Sequence, residues 1–104
     1  MGKAVGMIEV YGLVAAFAAC DAGCKAANVT VEHFDKNKPA NPDGLPVPLQ
    51  VLVKFRGSVE DVTAAVEAAA VEVNKISSVV TKHIIPSMED SAEKMLHLNA
   101  FDKN

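Results

Sequence analysis

Tryptophan is absent from this 104-residue chain, tyrosine occurs once and phenylalanine four times. Large rings are therefore too scarce to line a typical small-molecule pocket. Two cysteines are too few for a disulfide framework, which points to a thiol-reducing compartment. Charge of one sign is not in excess. Ten basic residues against thirteen acidic ones leave a net −3, with no basic stripe to invite nucleic acid or an anionic membrane. No long hydrophobic run is present either. The longest, Leu13 to Cys20, is broken by Asp21, far short of the roughly 18 residues that suggest a membrane span. Met1-Gly2-Lys3 leads into strand-like sequence without a cleavage site, and position 6 is Gly6 where a myristoylation signal needs Ser or Thr, so neither leader nor lipid anchor is expected. A glycine-rich phosphate loop, a nucleophile elbow and zinc-ligand spacing are also missing, so no enzyme is expected.

What is present is alanine and valine. Half of the residues are apolar, and this composition suits elements packed closely together. The length bounds one domain over 1–104, small enough that association would help to bury its apolar surface. A core over 4–98 and a short tail over 99–104 are expected.

The pattern along the chain reads strand, helix, strand, long loop, strand, helix, strand, short helix. Residues 4–10 form the first strand and 13–27 a small-residue helix ending near Asn28. Val29, Val31 and His33 alternate with Thr30, Glu32 and Phe34, the period-two signature of a strand with one face inward. Gln50 to Arg56 is the third strand, stopped by Gly57. Ser58 as N-cap with Asp61 three residues on opens a second helix, along which Val59, Val62, Val66, Ala69, Val73 and Ile76 make a three-four stripe. Val79 to Ile85 is a fourth strand ended by Pro86, and 88–98 reads as a terminal helix. Strand-helix-strand twice over favours a ferredoxin-like βαββαβ sandwich, an α/β fold with both helices on one face of an antiparallel sheet.

Several residues bear on chemistry without assembling a site. Cys20 and Cys24 lie four apart on the first helix and point the same way, which could supply half of a metal site. The simpler reading is two small buried hydrophobes. His33, His83 and His97 are scattered, and His83, within a strand, reads as structural. Glu9 sits in an apolar strand without a partner carboxylate at a defined spacing. No metal or cofactor is expected.

Four motifs carry a family resemblance. Gly6-Met7-Ile8-Glu9 precedes an alanine-rich helix whose Asp21, Lys25, Ala27 and Asn28 give a D-x-x-x-K-x-A-N ending. Phe55-Arg56-Gly57-Ser58, His83-Ile84-Ile85-Pro86 and Glu93-Lys94-Met95-Leu96 follow in order. From about Val5 to Leu96 the chain resembles the single-domain bacterial microcompartment shell proteins. The resemblance implies a cyclic homohexamer that tiles with other shell proteins around encapsulated enzymes, with small metabolites crossing a pore on the six-fold axis. It implies a bacterial cytoplasmic location. The alanine faces of the second helix, Ala64, Ala65, Ala68, Ala69 and Ala70, are compatible with close approach of neighbouring elements.

Two departures from the family pattern make this chain particular. The family's pore loop is short and rich in glycine and serine. Here Phe34-Asp35-Lys36 matches its entry, but residues 37–48 read NKPANPDGLPVP, about eight residues longer. Pro39, Pro42, Pro46 and Pro48 fix φ and remove amide donors, which stiffens the segment. Asn41-Pro42-Asp43-Gly44 is a β-turn signal. By resemblance the pore residues are Lys36, Asn37, Lys38, Pro39, Asn41, Asp43, Gly44 and Leu45. Six such loops around one axis would narrow, plug or raise the pore. Lys36 and Lys38 against Asp35 and Asp43 leave it nearly neutral, and with no cysteine there is no ligand for an iron-sulfur cluster. The second departure lies at the tiling edge, assigned by resemblance to Lys25, Asn28 and Ser87. Ser87 stands where the family places an arginine, which removes a forked donor from the contact between hexamers.

Two other classes share the pattern. A trimeric, small-molecule-sensing regulator of the nitrogen-regulatory type would make 37–48 an effector loop. A metal carrier would use Cys20 and Cys24, although carriers usually place their cysteines on an exposed loop ahead of the first helix.

Overall fold

A computed structural model describes residues 3–37 and 49–87 of the chain. In chain order the elements are β1 (Ala4–Tyr11), α1 (Leu13–Ala26), β2 (Thr30–Asn37), β3 (Gln50–Gly57), α2 (Val59–Val73) and β4 (Val79–Ile85). The strands form one antiparallel sheet in the order β2-β3-β1-β4, the ferredoxin-like arrangement expected from the sequence. The expected helix over 88–98 and loop residues 38–48 lie outside the described residues.

Alternation divides the sheet. Ala4, Ile8 and Val10 of β1 and Val51, Val53 and Phe55 of β3 point toward the helices and are buried with Ala15, Ala16 and Ala19 of α1 and Val62, Val66, Ala69 and Val73 of α2. Val5 points the other way, where Met7 and Ile85 pack against it. Lys54 is also on this second face and is buried.

Small residues set the distance between layers. Gly23 of α1 lies against the Phe55 ring, and a Cβ at Gly6 would come within 2.8 Å of Val66 Cγ2. The core is thus built from close approach of backbone to side chain, which explains how few aromatic residues suffice. The α2 start follows the expected cap: the Asp61 amide donates to Ser58 Oγ at 3.0 Å, and Ser58 Oγ–H donates to the Asp61 carboxylate at 3.0 Å.

The structure corrects several expectations. β2 runs to Asn37, three residues beyond Phe34, so Lys36 and Asn37 belong to strand backbone and not to a free loop. A register irregularity between Val31 and Phe34 breaks the simple alternation. The stripe of α2 is buried only from Val62 to Val73. Val59 is exposed in the first turn, and Ile76 is exposed because the helix has ended before it. Ala64 is exposed as well, whereas Ala65, Ala69 and Ala70 are buried. Cys20 is half-buried and Cys24 exposed, so they are not the buried pair expected. His83 is exposed in β4.

Candidate functional site

The sheet has two ends, and the candidate residues divide between them. Tyr11 and Asn37 both pair with Gln50 at one end, which also holds Gly12. Ala4 pairs with Gly57 and Thr30 with Arg56 at the other, beside Ile85 and Pro86. Strands of eight residues at about 3.3 Å per residue put roughly 25 Å between these ends.

At the Gly12 end the backbone clamps both stems of the long connection between β2 and β3. Asn37 pairs with Gln50, and Lys36 with Val51. The Gly12 amide donates to the Leu49 carbonyl at 2.6 Å, and the Gly12 carbonyl accepts from the Ala16 amide at 3.1 Å, so one residue anchors both the loop exit and the α1 start. Gly12 sits at φ +94°, a region that disfavours residues with a Cβ. Lys36 and Asn37 are therefore placed at this end by their backbone. Lys38, Pro39, Asn41, Asp43, Gly44 and Leu45 lie outside the described residues.

The Gly57 end gathers Lys25, Asn28 and Ser87. The fourteen residues of α1, at about 1.5 Å each, run back along the sheet and deliver Lys25 to this end. Its ammonium pairs with Asp21 one turn earlier at 2.9 Å. The hydrogen bond from Lys25 to Asp21 and the carboxylate charge raise the lysine pKa, with a smaller contribution from Glu72. Both partners are largely exposed, so the pair orients Lys25 more than it stabilises the fold. The Asn28 backbone N–H donates to Asp61 Oδ1 at 3.4 Å, which ties the α1 exit to the α2 entry. Ser87 is exposed and follows Pro86.

A groove of about 490 Å³ opens at this same end, lined by Lys3, Asn28, Arg56, Ser58, Asp61 and Pro86 among others. Arg56 pairs with Glu32 across β2 and β3 at 3.8 Å. Sequence reading named Asn28 here but missed Lys3, Arg56 and Asp61. The signal is in the sequence: Arg56-Gly57-Ser58 belongs to one of the four motifs, and antiparallel pairing of β3 with β1 returns it to the start of β1.

Among the described residues, neither cysteine joins a cluster of metal-ligating side chains. Burial first, and the neighbouring Cys24 second, push the Cys20 thiol up to about 12, so Cys20 is held as a neutral thiol. Among the described residues, no group of three or more His, Cys, Asp or Glu side chains is arranged to hold a metal ion. No helix among them is long and apolar enough to cross a membrane.

With this geometry in view, the BMC domain family model matches residues 4–88, spanning all six elements. The chain belongs to the BMC domain family. It is 36% identical over 105 residues to the carboxysome shell protein CcmK3 of Halothece sp., covering 99% of this chain and 94% of that protein. It is 37% identical over 94 residues to the bacterial microcompartment shell protein PduA of Citrobacter freundii, covering 90% of this chain and 91% of the relative. The crystal structure of a microcompartments protein from Desulfitobacterium hafniense DCB superposes with a TM-score of 0.70 at 23% identity, and shows the same fold. The match covers 90% of this chain and 48% of that one, so the present chain spans about half the length of that protein. The expected fold and family are thereby shown, and membership places the chain among structural shell proteins, not enzymes.

Proposed function

We propose that this chain is a structural subunit of a bacterial microcompartment shell, assembling as a cyclic homohexamer whose Gly12 ends converge on the axis and whose Gly57 ends form the rim. Other shell proteins are its tiling partners, encapsulated enzymes lie behind the shell, and small metabolites cross near the axis. The shell stands in the bacterial cytoplasm. The observation that carries this reading is the separation of the two residue groups: Lys36 and Asn37 lie at one end of the sheet, and Lys25, Asn28 and Ser87 at the other. A ring with a central pore and an outer tiling edge requires that separation. The relatives matched are shell proteins, so the trimeric sensor is not the reading adopted here.

In this reading residues 37–48 are the specialised part. Their near-neutral balance, Lys36 and Lys38 against Asp35 and Asp43, gives little basis for charge selection, so the segment acts through its bulk and its prolines. At the rim, Ser87 offers one hydroxyl in place of a guanidinium, so edge-to-edge contact between identical hexamers is weaker and mixed tiling with other shell proteins is favoured.

Replacing residues 37–48 with a short Gly-Ser turn tests the reading. The ring should persist in solution while the pore widens, seen as faster passage of a small charged reporter through reconstituted shells. Loss of the ring on that replacement would make the segment a structural clamp and refute its assignment to the pore.

A further inference from the structure

Both cysteines of the chain lie on α1, one helical turn apart. Service as a small hydrophobe explains Cys20, which is half-buried and packs against the core, but not Cys24, which is exposed. What an exposed thiol offers is the chemistry of its sulfur.

The helix defines the geometry of the pair. α1 stays helical through the turn that holds Cys24, where the Ala27 N–H donates to the Gly23 carbonyl at 3.2 Å. Residues four apart on such a helix put their Cβ atoms about 5–6 Å apart. On the adjoining row Asp21 and Lys25 show how far this spacing closes here, since carboxylate and ammonium meet at 2.9 Å. The two thiols are neighbours as well: after burial, the charge of Cys24 is the second cause that raises the Cys20 pKa.

That separation decides what the thiols can do together. A disulfide needs Cβ atoms about 3.5–4.5 Å apart, so a regular helix keeps the pair from closing on itself. A tetrahedral zinc site needs two more ligands, and among the described residues no third His, Cys, Asp or Glu side chain joins the pair. A soft ion that accepts two ligands needs neither. Two metal–thiolate bonds of about 2.3 Å each span up to about 4.6 Å between sulfurs, which side chains one turn apart reach by a choice of χ1 rotamers. The surroundings also favour a cation. Cys24 lies in the last turn of α1, where the helix dipole is negative, and Lys25, the basic residue of that turn, is neutralised by Asp21.

We propose that Cys20 and Cys24 form a two-coordinate site for a soft monovalent cation of the copper(I) class, held between the two sulfurs on the surface of α1. Thiolate ligands select such ions over magnesium, calcium and manganese. On binding, each S–H bond is exchanged for a sulfur–copper bond, both protons pass to solvent, and the ion keeps its oxidation state. The site goes beyond the shell reading and does not depend on it, because one helix of one chain supplies both ligands.

The test titrates the reduced full chain with copper(I), kept reduced by ascorbate in the absence of oxygen, against a chromogenic copper(I) chelator. The expected result is one ion per chain with thiolate-to-copper charge-transfer absorption in the ultraviolet. Cys20→Ser and Cys24→Ser should each weaken binding by about a hundredfold or more, since even the outer partners of a metal ligand are worth about 10–100-fold. Far-UV circular dichroism checks the fold. Should Cys20→Ser melt early, Cys24→Ser decides, because it removes a ligand at an exposed position and leaves the core closed. Affinity in folded Cys24→Ser equal to that of the native chain overturns the site. Zinc(II) held as tightly as copper(I) overturns its two-coordinate character, and one ion per two chains, with a rise in mass by light scattering, overturns its placement within one chain. None of these results bears on the solution mass of the metal-free chain, on which the ring reading stands or falls.

Discussion

Gly23→Ala should destabilise the protein although alanine is the better helix former. Gly23 lies in the third turn of α1, where the helix crosses the Phe55 ring of β3. A Cβ there would meet Phe55 Cζ, with Cε1 at 2.6 Å and Cε2 at 3.2 Å. Phe55 is fully buried in the same core as Ile8, Val53 and Val62, so its ring has little room to retreat. Two effects oppose each other. Helix propensity favours alanine by about 0.8–1 kcal/mol, and overpacking a filled core costs about 1–3 kcal/mol. Contact this close, against a ring and not a flexible chain end, places the overpacking cost in the upper part of its range. A net loss of about 1–2 kcal/mol follows, a fall in Tm of roughly 5–15 °C for a domain of this size. Urea unfolding at fixed protein concentration reads the change, because assembly would otherwise shift the apparent stability. Phe55→Leu removes the ring, so the double variant should be more stable than the two single losses predict, by about 1 kcal/mol of coupling. A Gly23→Ala protein as stable as the native chain would refute the close approach of α1 to the sheet.

Further outcomes are expected. Ser58→Ala removes the acceptor of the Asp61 amide and should cost about 1 kcal/mol, read as an earlier urea midpoint with unchanged slope. Ser87→Arg restores a forked donor beside Pro86 and should increase sheet formation by electron microscopy, while Lys25→Ala should reduce it, both without loss of the ring. The Cys20 thiol, raised by burial, should react far more slowly with a disulfide reagent at pH 8 than exposed Cys24. Because the folded pKa of Cys20, about 12, lies above its ordinary value of 9.0, the unfolded chain loses this proton first. Stability from this group is therefore complete below pH 9 and falls as the pH rises toward 12, and Cys20→Ala should flatten that part of the unfolding-against-pH curve.

Elements that repeat a period in side chains were legible in the sequence. The α2 stripe from Val62 to Val73, its Ser58 cap and the β-branched run of β4 all lie where pattern reading placed them. The extension of β2 through Asp35, Lys36 and Asn37 was not, because these residues are held by main-chain pairing with Leu52, Val51 and Gln50, which needs no apolar side chain. The irregularity after Val31 also hides the strand period from a reader of side chains. Cys24 escaped the buried face because four residues on a helix advance about 400°, which turns it roughly 40° from Cys20, enough to pass from half-buried to exposed. Lys25, Asn28 and Ser87, the residues proposed for the rim, are named from motifs alone. That they share one end with Lys3, Arg56 and Asp61 follows only from antiparallel pairing, a property of the sheet and not of any local segment.

The solution mass of the native chain by light scattering, across salt and protein concentration, tests the central claim most directly. Six chains of 11.0 kDa, about 66 kDa, or larger assemblies built from that unit, are the predicted result. A stable trimer or a monomer at every concentration would contradict it, and would turn residues 37–48 from a pore segment into a candidate effector loop.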